Sequence, residues 1–254
     1  MRCNLLVTLL CGVALSSTAP AVNAALFYNE TFSYADGNLV GNDGWAAHSG
    51  AGNLPVQVAG GAITVSHGSG SREDVNRPTG TVMDAGDKWY AAFDLAVTGG
   101  TTNVYFAHFL EGTSNFGARV WLTAPTSDGY RLALSGDSSI TDADGEALWG
   151  SDLAFDTTYR VVTSYDFDTG VAELWVDPTT EASTSISASD GFAGDGMEAY
   201  AFRQAGGDSS QTIDNLAVAT TFNEALTGIP EPTALSLIGL AACGVAAMRL
   251  RPRR

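Results

Sequence analysis

The chain between residue 25 and about residue 227 consists of short segments in which apolar and polar residues alternate. Long stretches with the 3.6-residue period of an amphipathic helix are missing, so no helix is predicted there. Aromatic and β-branched residues instead alternate with turns rich in Gly, Asp, Asn and Ser. In residues 89–97, for example, Trp89, Phe93 and Val97 fall on one face of a strand. About a dozen such strands, without an internal repeat or linker, predict one antiparallel two-sheet sandwich domain.

Two hairpins are predicted where a pair of alternating segments surrounds a turn. One covers residues 117–135, and the clearer one covers residues 159–177 around the turn Phe-Asp-Thr-Gly at 167–170. On the second strand of the latter, Glu173 and Trp175 share one face because side chains alternate along a strand.

These elements resemble the concanavalin-like, laminin-G-like jelly-roll group. The resemblance is carried by the Tyr-Asp and Asp-Thr-Gly of residues 165–170 and by the Leu-Trp-Val-Asp-Pro of residues 174–178. The segment 213–218 resembles a closing strand that returns beside the first strand, and residues 30–45 resemble the start of such domains in exported bacterial proteins. The resemblance implies an all-β jelly roll and a glycan- or protein-binding role.

The charge of the chain limits its partners. It contains 12 Lys and Arg against 28 Asp and Glu, and the part from 25 to 227 keeps 7 of the basic and 27 of the acidic residues, a net charge of −20. Such a polyanion repels phosphate backbones, which argues against nucleic-acid binding. It is compatible with calcium or neutral glycans.

The three cysteines, Cys3, Cys11 and Cys243, all lie in apolar terminal segments. A disulfide scaffold, a Cys-based zinc site and a Cys nucleophile are therefore excluded from the middle of the chain.

The first 24 residues have the organisation of a secretory signal peptide. Arg2 precedes an apolar run from Leu5 to Leu15, and small residues follow up to Ala24. We expect export through the secretion translocon and cleavage by signal peptidase after Ala24, with Ala25 as the nearby alternative site.

The last segment, residues 228–254, has three parts in a fixed order. A Pro-Glu-Pro triplet (Pro230, Glu231, Pro232) precedes an apolar run at about 234–248, and an arginine cluster follows. The cluster consists of Arg249, Arg251, Arg253 and Arg254. We expect a short transmembrane helix whose arginines stop transfer on the cytoplasmic side, with the proline-rich triplet extended and open to a protease.

This three-part tail resembles the PEP-CTERM sorting signal. The resemblance implies an exosortase as partner, which would cut near the triplet. The protein would pass through an inner-membrane intermediate to the cell surface or the extracellular matrix, among exopolysaccharide and biofilm components. The alternative is a tail anchor that is never processed.

Two sets of residues are candidates for a binding site. Asp142, Asp144 and Glu146 supply hard oxygens in an Asp-x-Asp-Gly context, which matches part of a calcium loop, with an acidic surface turn as the alternative. Glu173, Trp175 and Asp177 alternate along one strand and could flank a sugar, with a solvent-facing strand as the alternative.

No cofactor is predicted, with calcium as the alternative, and no catalytic residue is assigned. His108 lies in an apolar strand and is predicted to belong to the core or edge. The sequence favours a non-catalytic structural or glycan-binding domain. The alternatives are a polysaccharide-active enzyme, either a glycoside hydrolase or a lyase, and a calcium-stabilised adhesion module.

Overall fold

The computed structural model describes residues 25–100, 103–137 and 147–230. These residues form two antiparallel sheets and one short helix, which confirms the all-β two-sheet sandwich. The strands in chain order are β1 (Leu26–Glu30), β2 (Gly37–Asn38), β3 (Ala46–Ser49), β4 (Gln57–Ala59), β5 (Ala62–Ser66), β6 (Asp74–Pro78), β7 (Lys88–Thr98), β8 (Val104–Glu111), β9 (Asn115–Thr123), β10 (Arg131–Ser135), β11 (Ala147–Leu148), β12 (Tyr159–Asp166), β13 (Ala172–Val176), β14 (Ser185–Ala188), β15 (Ala199–Phe202) and β16 (Ser210–Ala219).

Each sheet joins strands that are distant in sequence. The first sheet has the order β14-β13-β12-β7-β16-β5-β4-β2, with β1 also paired to β16. The second sheet has the order β11-β10-β9-β8-β15-β6-β3. The predicted hairpins are confirmed as the pairs β9–β10 and β12–β13. The closing strand β16 lies beside β1 as expected, with Glu30 opposite Leu216.

The main core lies between the two sheets. Trp89, Phe93 and Val97 of β7 are all buried in it, which confirms the predicted face of that strand. Phe93 contacts Phe106 of β8 and Tyr200 of β15, with ring centroids 6.2 Å apart in both pairs. These cross-sheet contacts show which side of β8 and β15 faces the interior.

One helix, α1 (Phe222–Thr227), corrects the prediction that residues 25–227 contain none. Thr221 caps its first turn by accepting a hydrogen bond from the Glu224 amide, and Gly228 ends it in the left-handed conformation at φ 65°. Six residues are too few to show a helical period, so the sequence pattern could not reveal this helix. Phe222 packs edge-on against Trp175 and Tyr90, and α1 therefore covers part of the first sheet's outer surface.

Several short strands were not predicted, among them β2, β3, β4 and β11. They have two to four residues each, which is too short for an alternating pattern to emerge. These short strands are recognised only by their hydrogen bonds to neighbouring strands.

The expected signal peptide (residues 1–24) and the apolar tail segment (about 234–248) lie outside the described residues. Within the described ranges, no helix has the length and apolar character needed to cross a bilayer.

Candidate functional site

The outer surface of the second sheet carries a group of aromatic and basic side chains. Phe106 and Phe109 of β8 belong to the core between the sheets. Tyr105 and His108 of the same strand instead contact each other, with ring centroids 5.5 Å apart, on the opposite side. We call the group formed by Tyr105, His108, Phe116, Arg119, Trp121 and Arg203 the outer-face cluster.

Irregular pairing of β8 brings Tyr105 and His108 to the same face. Strict alternation would place residues 105 and 108 on opposite faces of a strand. The pairing of β8 with β9 shifts register between Tyr105 and Ala107 and again between Ala107 and Phe109. A bulge of this kind redirects the side chains that follow it.

Strand pairing brings the aromatic rings of the cluster together. Tyr105 lies opposite Trp121 in the register, and their ring centroids are 5.0 Å apart. Phe116 contacts His108 at 4.9 Å and Tyr105 at 6.0 Å. Trp121 is fixed by a 2.9 Å hydrogen bond from its Nε1 to the Ser135 hydroxyl. Tyr105 and Phe116 remain half-buried, so part of each ring is open to solvent.

Two guanidinium groups lie against the Tyr105 ring. The Cζ atom of Arg203 is 4.3 Å from the ring centroid, and that of Arg119 is 5.0 Å from it. Arg119 also lies 4.5 Å from the Phe116 centroid and forms a 2.7 Å ion pair with Asp137. Burial lowers the pKa of Arg119. A guanidinium nevertheless stays protonated in proteins.

Two histidines lie close together at this surface, His108 within the cluster and His48 beside it. The rings of His48, on β3, and His108 are 6.1 Å apart and nearly perpendicular. Burial lowers the pKa of both, and the positive charge of Arg203 adds to the effect. His48 Nδ1 and both ring nitrogens of His108 are buried without a hydrogen-bond partner among the described residues. His108 is fully buried, in agreement with its predicted core or edge position.

A pocket of about 360 Å³ adjoins the outer surface where β6 ends and the neighbouring strand β15 begins. Its lining includes Asn76 and Pro78 of β6, Ala199 of β15 and the exposed Val82. Ala199 packs in the same small outer cluster as Phe116. The pocket therefore continues the surface that carries the outer-face cluster.

The predicted sugar platform on β13 is not open in the structure. Trp175 is only 1% exposed because α1 covers it, and its Nε1 donates to the Glu181 carbonyl. Glu173 forms a 2.6 Å ion pair with Lys88. Asp177 lies beyond the strand end, where its carboxylate accepts the Arg160 amide. In the structure, Trp175 is therefore buried under α1, while Glu173 and Asp177 contact Lys88 and Arg160.

The other predicted site residues fall mostly outside the described ranges. This applies to Asp142, Asp144, Glu146, Glu231, Pro232 and the four terminal arginines. Pro230 is the last described residue and is exposed. Within the described residues, no group of three or more His, Cys, Asp and Glu side chains is placed to hold a metal ion.

Sequence reasoning missed most of the outer-face cluster. Its members come from β8, β9 and the end of β15, so up to 98 residues separate Tyr105 from Arg203 in the chain. One available signal was that Tyr105, His108 and Arg119 carry polar groups within the largely apolar segments that form β8 and β9. That signal identifies polar positions but cannot show that they meet.

No family model and no curated protein matches this sequence. Among solved structures, a sialidase chain superposes with a TM-score of 0.50 at 16% identity, covering 77% of this chain and 19% of the sialidase chain. The carbohydrate recognition domain of Emp47p superposes with a TM-score of 0.50 at 10% identity, covering 80% of this chain and 99% of that domain. These similarities are at the level of the fold, and the chain spans about a fifth of the sialidase.

Proposed function

We propose that this protein is an exported, surface or matrix glycan-binding protein, and that its outer-face cluster is the non-catalytic binding site. The observation that carries the proposal is the set of partly open aromatic rings beside two guanidinium groups. Aromatic faces stack on the apolar faces of sugar rings, while arginine N–H groups donate to sugar oxygens. A jelly-roll fold shared with a carbohydrate recognition domain is consistent with this role.

Removing the aromatic face at the centre of the cluster tests the binding site. The full-length chain is applied to an array of purified bacterial exopolysaccharides and plant polysaccharides, and the affinity for each bound glycan is measured by calorimetry. We expect Tyr105→Leu to weaken binding about tenfold, because leucine keeps apolar bulk but loses the ring.

Phe192→Leu is the matched control. Phe192 is 60% exposed and outside the cluster, so the same kind of change should leave affinity unaltered. Thermal unfolding of both variants shows whether the fold is retained. Equal affinities for the Tyr105 and Phe192 variants would place the binding site elsewhere.

Export and sorting form the second part of the proposal. The protein would lose its signal peptide, be held in the inner membrane by its tail and be cut by an exosortase near Pro230. The mass of the mature protein from the membrane and the medium tests this. A species from about residue 25 to 230–233 would agree, whereas an intact tail through Arg254 would contradict processing.

A polysaccharide-active enzyme is the second candidate, favoured by two carboxyl groups at one end of the sandwich. Burial raises the pKa of Asp137 against the opposing effect of its ion pair with Arg119. Burial and nearby carboxylates together raise the pKa of Asp195. A carboxyl group with a raised pKa can act as a general acid. Release of reducing ends from a bound polysaccharide, abolished by Asp137→Asn, would support this candidate. Binding without any shortening of the polymer would reject it.

A further inference from the structure

Most basic residues between 25 and 227 have an ionic partner, whereas Arg203 has none among the residues that the structure describes. Five of the seven form ion pairs with carboxylates: Arg77, Lys88, Arg119, Arg131 and Arg160. Arg72 and Arg203 have no such pair within the described part of the chain. In a domain with 27 acidic residues, a basic side chain without a carboxylate partner is unexpected.

The position of Arg203 distinguishes it from Arg72. Arg72 lines a separate pocket of about 330 Å³ with Leu54 and Gln204. Arg203 follows β15, where its backbone amide donates to the Phe106 carbonyl at 2.9 Å. Its half-buried guanidinium stacks on Tyr105 within the outer-face cluster. Stacking restricts the guanidinium plane, so less conformational entropy is lost when its N–H groups bind an acceptor.

The carboxylates around the cluster are already engaged. Asp137 pairs with Arg119 at 2.7 Å. Asp74 accepts the Gln204 amide at 2.8 Å and the Ser49 hydroxyl at 2.9 Å. Because Asp137 neutralises Arg119, the positive charge of Arg203 is left for a ligand.

We propose that the glycan bound by the outer-face cluster is acidic, and that Arg203 binds its carboxylate. This rests on the glycan-binding function proposed above. A carboxylate accepts two parallel N–H bonds from a guanidinium, and these bonds are stronger than those to a neutral hydroxyl. The sugar ring that bears the carboxylate stacks on the exposed parts of Tyr105 and Phe116.

The negative net charge of the domain disfavours ligands whose own negative charges are closely spaced. A charge of −20 repels a phosphate polymer, whose charges are only about 1.7 Å apart along a duplex. One carboxylate on a sugar ring is attracted locally by Arg203, while charges beyond about 8 Å are screened at physiological ionic strength. The ligand is therefore a sugar acid of which Arg203 binds one carboxylate.

The test compares acidic oligosaccharides with their carboxyl-reduced, neutral counterparts, using the full-length chain. Oligogalacturonate represents uronic acids and sialyl-lactose represents nine-carbon sugar acids. We expect the carboxylated form of at least one pair to bind about tenfold more tightly than its reduced form. Arg203→Gln should bring that ratio close to one.

Arg72→Gln is the matched control, because it removes the same charge from the other arginine that has no ion pair among the described residues. This variant should keep the ratio of the affinities for the carboxylated and the reduced glycan. A ratio near one in the unaltered chain, or one that survives Arg203→Gln, overturns the acidic-ligand proposal. If neutral glycans still bind in that case and Tyr105→Leu weakens their binding, the glycan-binding proposal stands without the acidic-ligand proposal. If no glycan of either kind binds, both proposals fail.

Discussion

At the scale of single residues, Glu30 is the polar centre of the N-terminal end of the domain. Its buried carboxylate accepts hydrogen bonds from the Phe32 amide at 2.7 Å, the Tyr34 hydroxyl at 2.5 Å and the Trp45 indole at 3.1 Å. Arg77 completes the set with a 2.7 Å ion pair. One acidic side chain thus joins β1, the loop after it and β6.

Replacing Glu30 should be strongly destabilising. Glu30→Gln leaves Arg77 with only the exposed Asp43 as ionic partner and at least one buried donor without an acceptor. We therefore expect a loss of about 3 kcal/mol in the free energy of unfolding. Asp43→Asn is the control, since Asp43 binds the same arginine at 2.6 Å but is 65% exposed. It should cost less than about 1 kcal/mol. Urea unfolding measures both, and similar losses would contradict this account of Glu30.

A second residue-scale prediction concerns pH. Burial lowers the pKa of His67 from 6.5 to about 4, while its Nδ1 accepts the Ala205 amide at 3.0 Å. The unfolded chain therefore binds this proton at higher pH than the folded protein does. The stabilising contribution is complete above pH 6.5 and is lost as the pH falls toward 4.

His67→Asn isolates the contribution of this group, because the asparagine oxygen can accept the same amide without titrating. Between pH 7 and pH 4.5, the unaltered protein should lose on the order of 2 kcal/mol more stability than the variant. Urea unfolding at the two pH values provides the comparison. Equal losses would show that His67 does not titrate in this window.

At the scale of elements, one arginine binds the C-terminal end of α1. Arg160 of β12 donates from Nη2 to the Ala225 and Leu226 carbonyls, each at 3.1 Å, and from Nη1 to Asp94. A positive charge at the C-terminal end of a helix also interacts favourably with the negative end of the helix dipole. The same helix shields Trp175 and Tyr90 from solvent.

Arg160→Gln should loosen α1 and expose the chain around residues 222–228 to proteases. We expect cleavage there to be at least several-fold faster, because the last helical carbonyls lose their donors. Arg131→Gln also removes an ion-paired arginine but does not touch α1, so its cleavage should match that of the unaltered protein. Identical cleavage rates in both variants would contradict the role of Arg160.

The elements also show how far sequence reasoning reaches. Alternation correctly predicted β7 and the β12–β13 hairpin, because each is long and has one face in the core. It correctly placed Glu173 and Trp175 on one face but could not foresee the cover of α1. Alternation could not show that Tyr105 and His108 lie on the same side of β8, because two register shifts bring them there.

At the scale of the whole molecule, two sheets enclose the main core, and their outer surfaces carry different side chains. Helix α1 covers part of the first sheet, whereas the second sheet carries the outer-face cluster and the adjoining pocket. The sandwich itself could be predicted, because it follows from local alternation. The site could not, because it depends on which strands become neighbours.

Hydroxyl-radical footprinting of the full-length chain, with and without the glycan that binds it best, tests the central claim most directly. It reports the exposure of each aromatic side chain. We predict that the glycan protects Tyr105 and Phe116, while the 60% exposed Phe192 is oxidised equally in both samples. Protection confined to Phe192, or to residues on the first sheet, would contradict a glycan site on the outer face of the second sheet.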